Sequence, residues 1–115
     1  MGLRSAFDAA TAERYLSHLE PAWKVIQDDA GRLRIRRRYR TKNFMKGLDL
    51  FQRIAEVAEA EGHHPDLALE SWNNATVSVW THERGGLTEN DFVLAAKIDA
   101  LGKADLLSKK PPLDD

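Results

Sequence analysis

The sequence predicts an α+β fold, a four-stranded antiparallel sheet with helices packed on one face, in the order α-β-β-α-β-β-α. Three observations support this prediction. Apolar residues recur at helical spacing in three separate stretches. Two other regions each hold a pair of β-prone stretches joined by turn residues. Hairpins that alternate with helices are typical of an antiparallel sheet with one covered face.

The first helix and the first hairpin occupy the beginning of the chain. An apolar residue recurs every three or four positions over residues 11–19, and Pro21 ends this helix. Residues 23–27 and 32–40 are β-prone and flank turn residues at 28–31. These two strands are therefore predicted to form a hairpin.

The second strand of that hairpin is strongly basic. Side chains alternate between the two faces of a strand. One face carries the apolar residues Leu33, Ile35 and Tyr39 and is interrupted by Arg37. The other face carries an arginine at every even position from 32 to 40. Such a face is typical of a surface that binds an anionic protein or a nucleic acid. It is also typical of a solvated edge strand whose charge opposes edge-to-edge association, which we favour for most of these arginines. The formal net charge of −1 makes a nucleic acid the weakest alternative.

The longest helix follows the basic strand. It is predicted to begin at Thr41 or Asn43, each of which can cap a helix, and to end near Gly62. Its apolar stripe consists of Phe44, Met45, Leu48, Phe51, Ile54, Ala55 and Ala58.

A second hairpin and a last helix complete the predicted fold. Strands over residues 67–72 and 75–82 surround a tight turn at 73–74. Thr88 and Asp91 have the spacing of a capping box that opens a helix. The predicted buried residues of this helix are Leu94, Ala95, Ile98 and Leu101.

Length and composition are those of one globular domain. The chain has 115 residues, 43% of them hydrophobic and 30% charged, and we place the domain at residues 1–107 with a flexible tail at 108–115. It contains no cysteine, which excludes disulfides and thiol nucleophiles. We find neither a secretory signal nor a stretch approaching the ~20 apolar residues of a membrane span. We therefore expect a cytoplasmic protein without membrane contact.

Three of the four histidines, His63, His64 and His82, lie at a predicted helix end and a predicted strand end, where a cleft can form. Imidazole titrates near neutral pH, so such a cluster can donate and accept protons without a metal or a cofactor. Two adjacent histidines can instead place charge near the C-terminal end of a helix dipole. The spacing of the histidines alone does not distinguish the catalytic interpretation from the structural one.

A metal site is the weaker alternative for the histidine cluster. Asp66 or Asp91 would complete a set of ligands of the type that zinc or iron accepts. However, side chains at 63 and 64 diverge in an extended segment, and no HExxH arrangement is present. Asp91 is also placed to act as the capping carboxylate of the last helix. We predict no metal.

At these residues the sequence resembles the pterin-4a-carbinolamine dehydratase family. The family's motif is an acidic residue, His-His-Pro, an aromatic residue, Thr-His, and a Gly-Leu-Thr turn leading to Asp. The matching residues are Glu59, His63-His64-Pro65, Trp72, Thr81-His82, Gly86-Leu87-Thr88 and Asp91. The resemblance runs from about residue 23 to residue 101.

The resemblance implies a compact α+β fold, a homodimer or homotetramer, and dehydration of 4a-hydroxytetrahydrobiopterin to the quinonoid dihydropterin without a cofactor. It implies that His63 and His82 form the acid/base pair around the 4a-hydroxyl group and that His64 positions the pterin. In the same way, Asp91 and Glu59 would orient histidines. The substrate-binding residues implied by the resemblance are Glu59, Pro65, Trp72 and Thr81.

A finer resemblance is to the dehydratase-like branch of chloroplasts and alpha-carboxysome bacteria, which is associated with Rubisco assembly. Trp80 stands where other members usually carry a smaller aliphatic residue, and residues 36–38 replace a strand that is more often rich in aromatic residues. The alternative function is therefore a catalytically silent assembly factor that binds the Rubisco large subunit. Its candidate partner surface consists of Arg34, Arg36, Arg38 and Trp80.

Overall fold

The computed structural model of this protein describes residues 5–113. Its elements are helix α1 (Ala9–Leu16), strands β1 (Lys24–Gln27) and β2 (Leu33–Arg40), helix α2 (Phe44–Glu61), strands β3 (Asp66–Glu70) and β4 (Asn74–Val79), and helix α3 (Glu89–Asp99). This confirms the predicted α-β-β-α-β-β-α order. Residues 114 and 115 of the expected tail lie outside the described residues.

The four strands form one antiparallel sheet in the order β1-β2-β4-β3. The core side chains of β2 and β4 are fully or almost fully buried: Ile35, Tyr39, Ala75, Val77 and Val79. Buried residues of α1, α2 and α3 join them in a single hydrophobic cluster. The predicted α+β fold with helices on one face of the sheet is confirmed.

The α1 and α3 helices differ slightly from their predicted bounds. Asp8 caps α1 by accepting a hydrogen bond from the backbone N–H of Thr11 at 2.8 Å, so this helix begins and ends earlier than predicted. The predicted capping box of α3 is present, with Thr88 as the N-cap. Leu101 lies beyond the end of α3 and is half-buried rather than buried.

The buried stripe of α2 was predicted only in part. Ile54 and Ala58 are buried as predicted. Phe44, Met45 and Leu48 are instead 49%, 64% and 43% exposed. The buried face consists of Gly47, Leu50, Ile54 and Ala58. Apolar residues occupy two faces of this helix, and the sheet packs against only one of them.

Gly47 lies on the buried face of α2, close to β3. A Cβ atom at this position would lie 2.8 Å from a methyl carbon of Leu69 on β3. A side chain at position 47 would therefore require the Leu69 side chain to move, whereas glycine permits the close approach without this shift. The helix itself ends as predicted at Gly62, which adopts the left-handed conformation with φ of 64°.

The turn of the second hairpin was predicted at residues 73–74, whereas it consists of residues 71–73 and Asn74 already belongs to β4. Ser71 and Trp72 have positive φ angles of 46° and 61°, so the chain reverses at these two residues. The side-chain amide of Asn73 donates to the carbonyl of Thr41 at 2.9 Å and so links the turn to the residue that follows β2. The strand β4 ends at Val79, so His82 lies beyond it.

Arg37, the residue that interrupts the apolar face of β2, is accommodated by acidic partners. Its side chain is 13% exposed and lies 2.8 Å from Asp99, and it also forms an ion pair with Glu20. Its guanidinium group lies 4.5 Å from the centre of the Tyr39 ring. Arg37 thus joins β2 to the loop before β1 and to the end of α3.

Candidate active site

Three histidines line one open pocket at the edge of the sheet. The pocket has a volume of about 300 Å³ and is lined by Gly62, His63, His64, Trp80, His82 and Glu83. His63 and His64 follow the turn that ends α2, and His82 lies in a short 3-10 turn after β4. Because β3 and β4 pair antiparallel, the start of β3 lies beside the end of β4. This pairing brings His63 and His64, which precede β3, close to His82, which follows β4.

Asp91 anchors His63 from the protein interior. Its side chain has no solvent exposure, and one carboxylate oxygen lies 2.6 Å from Nε2 of His63. The other oxygen accepts hydrogen bonds from the Thr81 hydroxyl at 2.9 Å and from the Thr88 backbone N–H at 2.8 Å. Burial raises the pKa of Asp91, and the hydrogen bonds from His63, Thr88 and Thr81 oppose this increase. Both suggested roles of Asp91, helix capping and contact with a histidine, therefore coexist.

Glu59 contacts His64 at the rim of the pocket. The carboxylate of Glu59, on the last turns of α2, forms a hydrogen bond with Nε2 of His64. The His64 side chain is 62% exposed and that of Glu59 75% exposed. Water and salt weaken such a pair, so it orients His64 more than it stabilises the fold.

His82 has an aromatic neighbour. Its ring centre lies 4.0 Å from that of Trp80, with 34° between the planes. Trp80 is only 7% exposed because it lies beneath other side chains. The guanidinium carbons of Arg32 and Arg34 each lie 4.5 Å from its ring centre. The basic strand and the histidine pocket therefore meet at Trp80.

The other site residues expected from the sequence lie in different places. Thr81 supports Asp91, and Pro65 connects His64 to β3. Trp72 lies in the turn at the opposite end of the β3–β4 hairpin from the histidines, where it is 59% exposed. The structure therefore does not bring Trp72 to this pocket within one chain.

The candidate partner surface lies on the open face of the sheet. In the strand register Arg36 pairs with Ser78 and Arg38 with Thr76, and these four residues are half-buried. The ring of Trp80 is covered by arginines, so this surface presents guanidinium groups rather than an aromatic ring.

Two contributors to the pocket were missed by sequence reasoning. Glu83 lines it directly, and Arg32 covers Trp80. Glu83 immediately follows His82, which is the only local signal for it. The contact of Arg32 depends on the pairing of β2 with β4, which no local pattern reveals.

Among residues 5–113, no group of three histidine or acidic side chains is arranged to hold a metal ion. Over the same part of the chain, none of the helices combines the length and the apolar character needed to cross a membrane.

Comparisons with known proteins agree with the motif. The sequence model of a family described as "Pterin 4 alpha carbinolamine dehydratase" matches residues 5–101. The chain is 58% identical over 88 residues to "Pterin-4-alpha-carbinolamine dehydratase 2, mitochondrial" of Arabidopsis thaliana, a match that covers 76% of this chain and 46% of that protein. It is 44% identical to a "Putative pterin-4-alpha-carbinolamine dehydratase" of Methylococcus capsulatus, which covers 81% of this chain and 77% of that one.

A solved structure has a similar fold. It is described as "transcriptional coactivator/pterin dehydratase from Brucella Melitensis" and matches with a TM-score of 0.70 at 28% sequence identity, covering 84% of this chain and 97% of that chain. The chain thus spans nearly all of this bacterial structure, but less than half the length of the plant relative.

Proposed function

Because this chain belongs to the pterin 4 alpha carbinolamine dehydratase family, we propose that it dehydrates 4a-hydroxytetrahydrobiopterin to the quinonoid dihydropterin. The observation that supports this activity best is the convergence of three histidines on one pocket of about 300 Å³. Imidazole groups can supply both the acid and the base that such a reaction needs near neutral pH.

The proposed reaction removes one molecule of water from the substrate. A protonated imidazole donates a proton to the 4a-hydroxyl group, the bond between C4a and oxygen breaks, and water leaves. A neutral imidazole accepts the proton of N5, whose electron pair forms the new C=N bond. Proton, hydroxyl group and charge balance without an oxidant or a metal.

His63 and His82 are the proposed acid/base pair. Asp91 occupies Nε2 of His63, so the proton that His63 exchanges with the pterin would travel through Nδ1. A buried carboxylate on the far nitrogen fixes the orientation and the tautomer of the ring, as in other carboxylate–histidine pairs. His64, oriented by Glu59, would position the pterin at the rim.

The test is an assay of 4a-hydroxytetrahydrobiopterin dehydration against a blank without protein, because the reaction also proceeds uncatalysed. We expect His63→Ala and His82→Ala to lower the catalysed rate by about tenfold or more. His18→Ala is a matched control, because His18 is an exposed histidine outside the pocket. A wild-type rate equal to the blank would overturn the proposed activity.

We propose a second candidate function, binding of the Rubisco large subunit during assembly, in the cytoplasm and in association with carboxysomes. The observation in its favour is the row of arginines on the open face of the sheet, which includes Arg34, Arg36 and Arg38. An anionic protein surface would complement this row.

Charge reversal tests the proposed partner surface. The triple variant Arg34→Glu, Arg36→Glu and Arg38→Glu should lose association with Rubisco in a pull-down. Arg53→Glu serves as the control, because Arg53 pairs with Asp105 away from this surface. Association that survives the triple charge reversal would exclude this surface.

We also propose that the chain forms a homodimer or homotetramer. Exposed apolar side chains support it, because Phe44, Met45 and Leu48 lie together on the first turns of α2 and are 49%, 64% and 43% exposed. Contiguous exposed apolar surface of this kind marks interaction sites.

A further inference from the structure

We infer that Trp80 is a positioning residue for His82, and that the guanidinium groups of Arg32 and Arg34 hold its indole in place. The inference rests on the proposed dehydratase function, in which His82 belongs to the acid/base pair. It assigns to the basic strand a role in the pocket that is separate from any partner.

The three pocket histidines are held in three different ways. His63 contacts the carboxylate of Asp91, and His64 contacts that of Glu59. Within residues 5–113 the ring of His82 has no hydrogen bond and no ion pair, and its contact is the Trp80 ring at 4.0 Å. An exposed imidazole on a three-residue turn rotates freely unless a neighbour restrains it. Trp80 provides that restraint.

Trp80 is itself restrained by two arginines at the beginning of β2. Arg34 lies on β2 and Arg32 lies immediately before it, and both side chains reach the Trp80 ring. Each guanidinium carbon lies 4.5 Å from the centre of the indole, a distance at which a cation is attracted to an aromatic ring. These contacts leave Trp80 only 7% exposed although it lies at the open side of the sheet.

The arginines are held in turn by carboxylates. Asp28 accepts from Nε of Arg32 at 2.9 Å and from Nε of Arg34 at 3.2 Å, and Asp66 accepts from Arg34 at 3.1 Å. Desolvation acts to raise the pKa of Asp28, but hydrogen bonds from Arg32 and Arg34 outweigh it and lower this pKa to about 2. Asp28 is therefore ionised at any pH at which the histidines could act.

The chain of contacts runs from the first hairpin turn to the pocket, through Asp28, the two arginines and Trp80 to His82. Trp80 also lines the pocket beside His63 and His64. Removal of the indole would release the His82 ring and widen the pocket at the same point. Loss of orientation in an acid/base group lowers the turnover rate more than it lowers binding.

The experiment compares Trp80→Leu, which removes the ring, with Trp80→Phe, which keeps an aromatic face. We expect Trp80→Leu to lower kcat by about tenfold with a change in KM below about threefold, and Trp80→Phe to recover most of the loss. In parallel, NMR of the His82 ring protons should show the upfield shift caused by a stacked indole in the wild type and its loss in Trp80→Leu.

A second pair of variants tests the inference in case Trp80→Leu does not fold. Arg34→Met removes a cation from the indole while leaving Trp80 in place, and should reduce both kcat and the His82 shift. Arg53→Met removes a surface ion pair of α2 and should leave both unchanged.

Two results would overturn the inference: a His82 shift that persists in Trp80→Leu, or a kcat that neither Trp80→Leu nor Arg34→Met reduces. The NMR shift does not depend on turnover. A wild type without histidine-dependent activity, but with a Trp80-dependent His82 shift, would overturn the proposed function and leave the contact established.

Discussion

Asp91 joins the start of α3 to the histidine pocket. Its carboxylate is fully buried, lies 2.6 Å from His63, and accepts hydrogen bonds from Thr81 and Thr88. The spacing of Thr88 and Asp91 predicts the capping role, because a capping box spans only three residues. The contact with His63 depends on two segments far apart in sequence, and the family motif was the only guide to it.

At the residue scale we predict the effect of Asp91→Asn. The amide oxygen can still accept from Thr88, so the fold should persist, but Nε2 of His63 loses its carboxylate partner, which fixes the orientation and the tautomer of the ring. We expect the rate of the proposed dehydration to fall by about 10- to 100-fold. The measurement is steady-state kinetics together with thermal unfolding. Asp49→Asn, on the exposed side of α2, is the control, and an unchanged kcat would contradict the assigned role.

The helices show what helical spacing can and cannot predict. The bounds of α2 were predicted closely, since Asn43 and Gly62 are local signals for a start and an end. Its buried face was predicted only in part, because two apolar faces satisfy the same period. Helical spacing gave no sign of the contact made at the end of α3 by Lys103, which is buried and donates to the carbonyls of Ile98, Asp99 and Leu101 at 2.8, 3.1 and 2.9 Å.

At the element scale we predict that Lys103→Met destabilises the protein. Burial lowers the pKa of Lys103, and its ammonium group satisfies three carbonyl groups at the end of α3. In Lys103→Met these carbonyl groups lose their hydrogen-bond donor, which should lower the free energy of unfolding by about 1–3 kcal/mol. Urea denaturation measures this change. Lys97→Met is the matched control, because Lys97 is an exposed lysine of the same helix, and an equal effect of both variants would disprove the capping role.

At the scale of the whole molecule, the sheet separates two surfaces of different chemistry. The three helices cover one face, and the other carries the arginines of β2 beside Thr76 and Ser78. The exposed apolar end of α2 lies apart from both, since Phe44, Met45 and Leu48 face away from the core. The fold therefore leaves room for a pocket, a basic surface and a self-association surface at once.

For the whole molecule we predict that Leu48→Glu weakens self-association. A charge placed among exposed apolar side chains would have to be desolvated in any contact between copies. Light scattering should give a mass two or four times 13.0 kDa for the wild type and a shift towards 13.0 kDa for the variant. Val93→Glu is the control, because Val93 is 38% exposed on another helix. A wild type of 13.0 kDa would refute the expected oligomer.

The sequence by itself determined the order of the elements, the caps of α2 and α3, and the set of chemically competent histidines. Each depends on residues close together in the chain, where periodicity and turn chemistry act. Only the tertiary structure decided which face of α2 is buried and that Arg32 and Arg34 cover Trp80. These features arise from strand pairing and helix packing between distant segments, where burial of apolar surface selects one arrangement among several that satisfy the same local pattern.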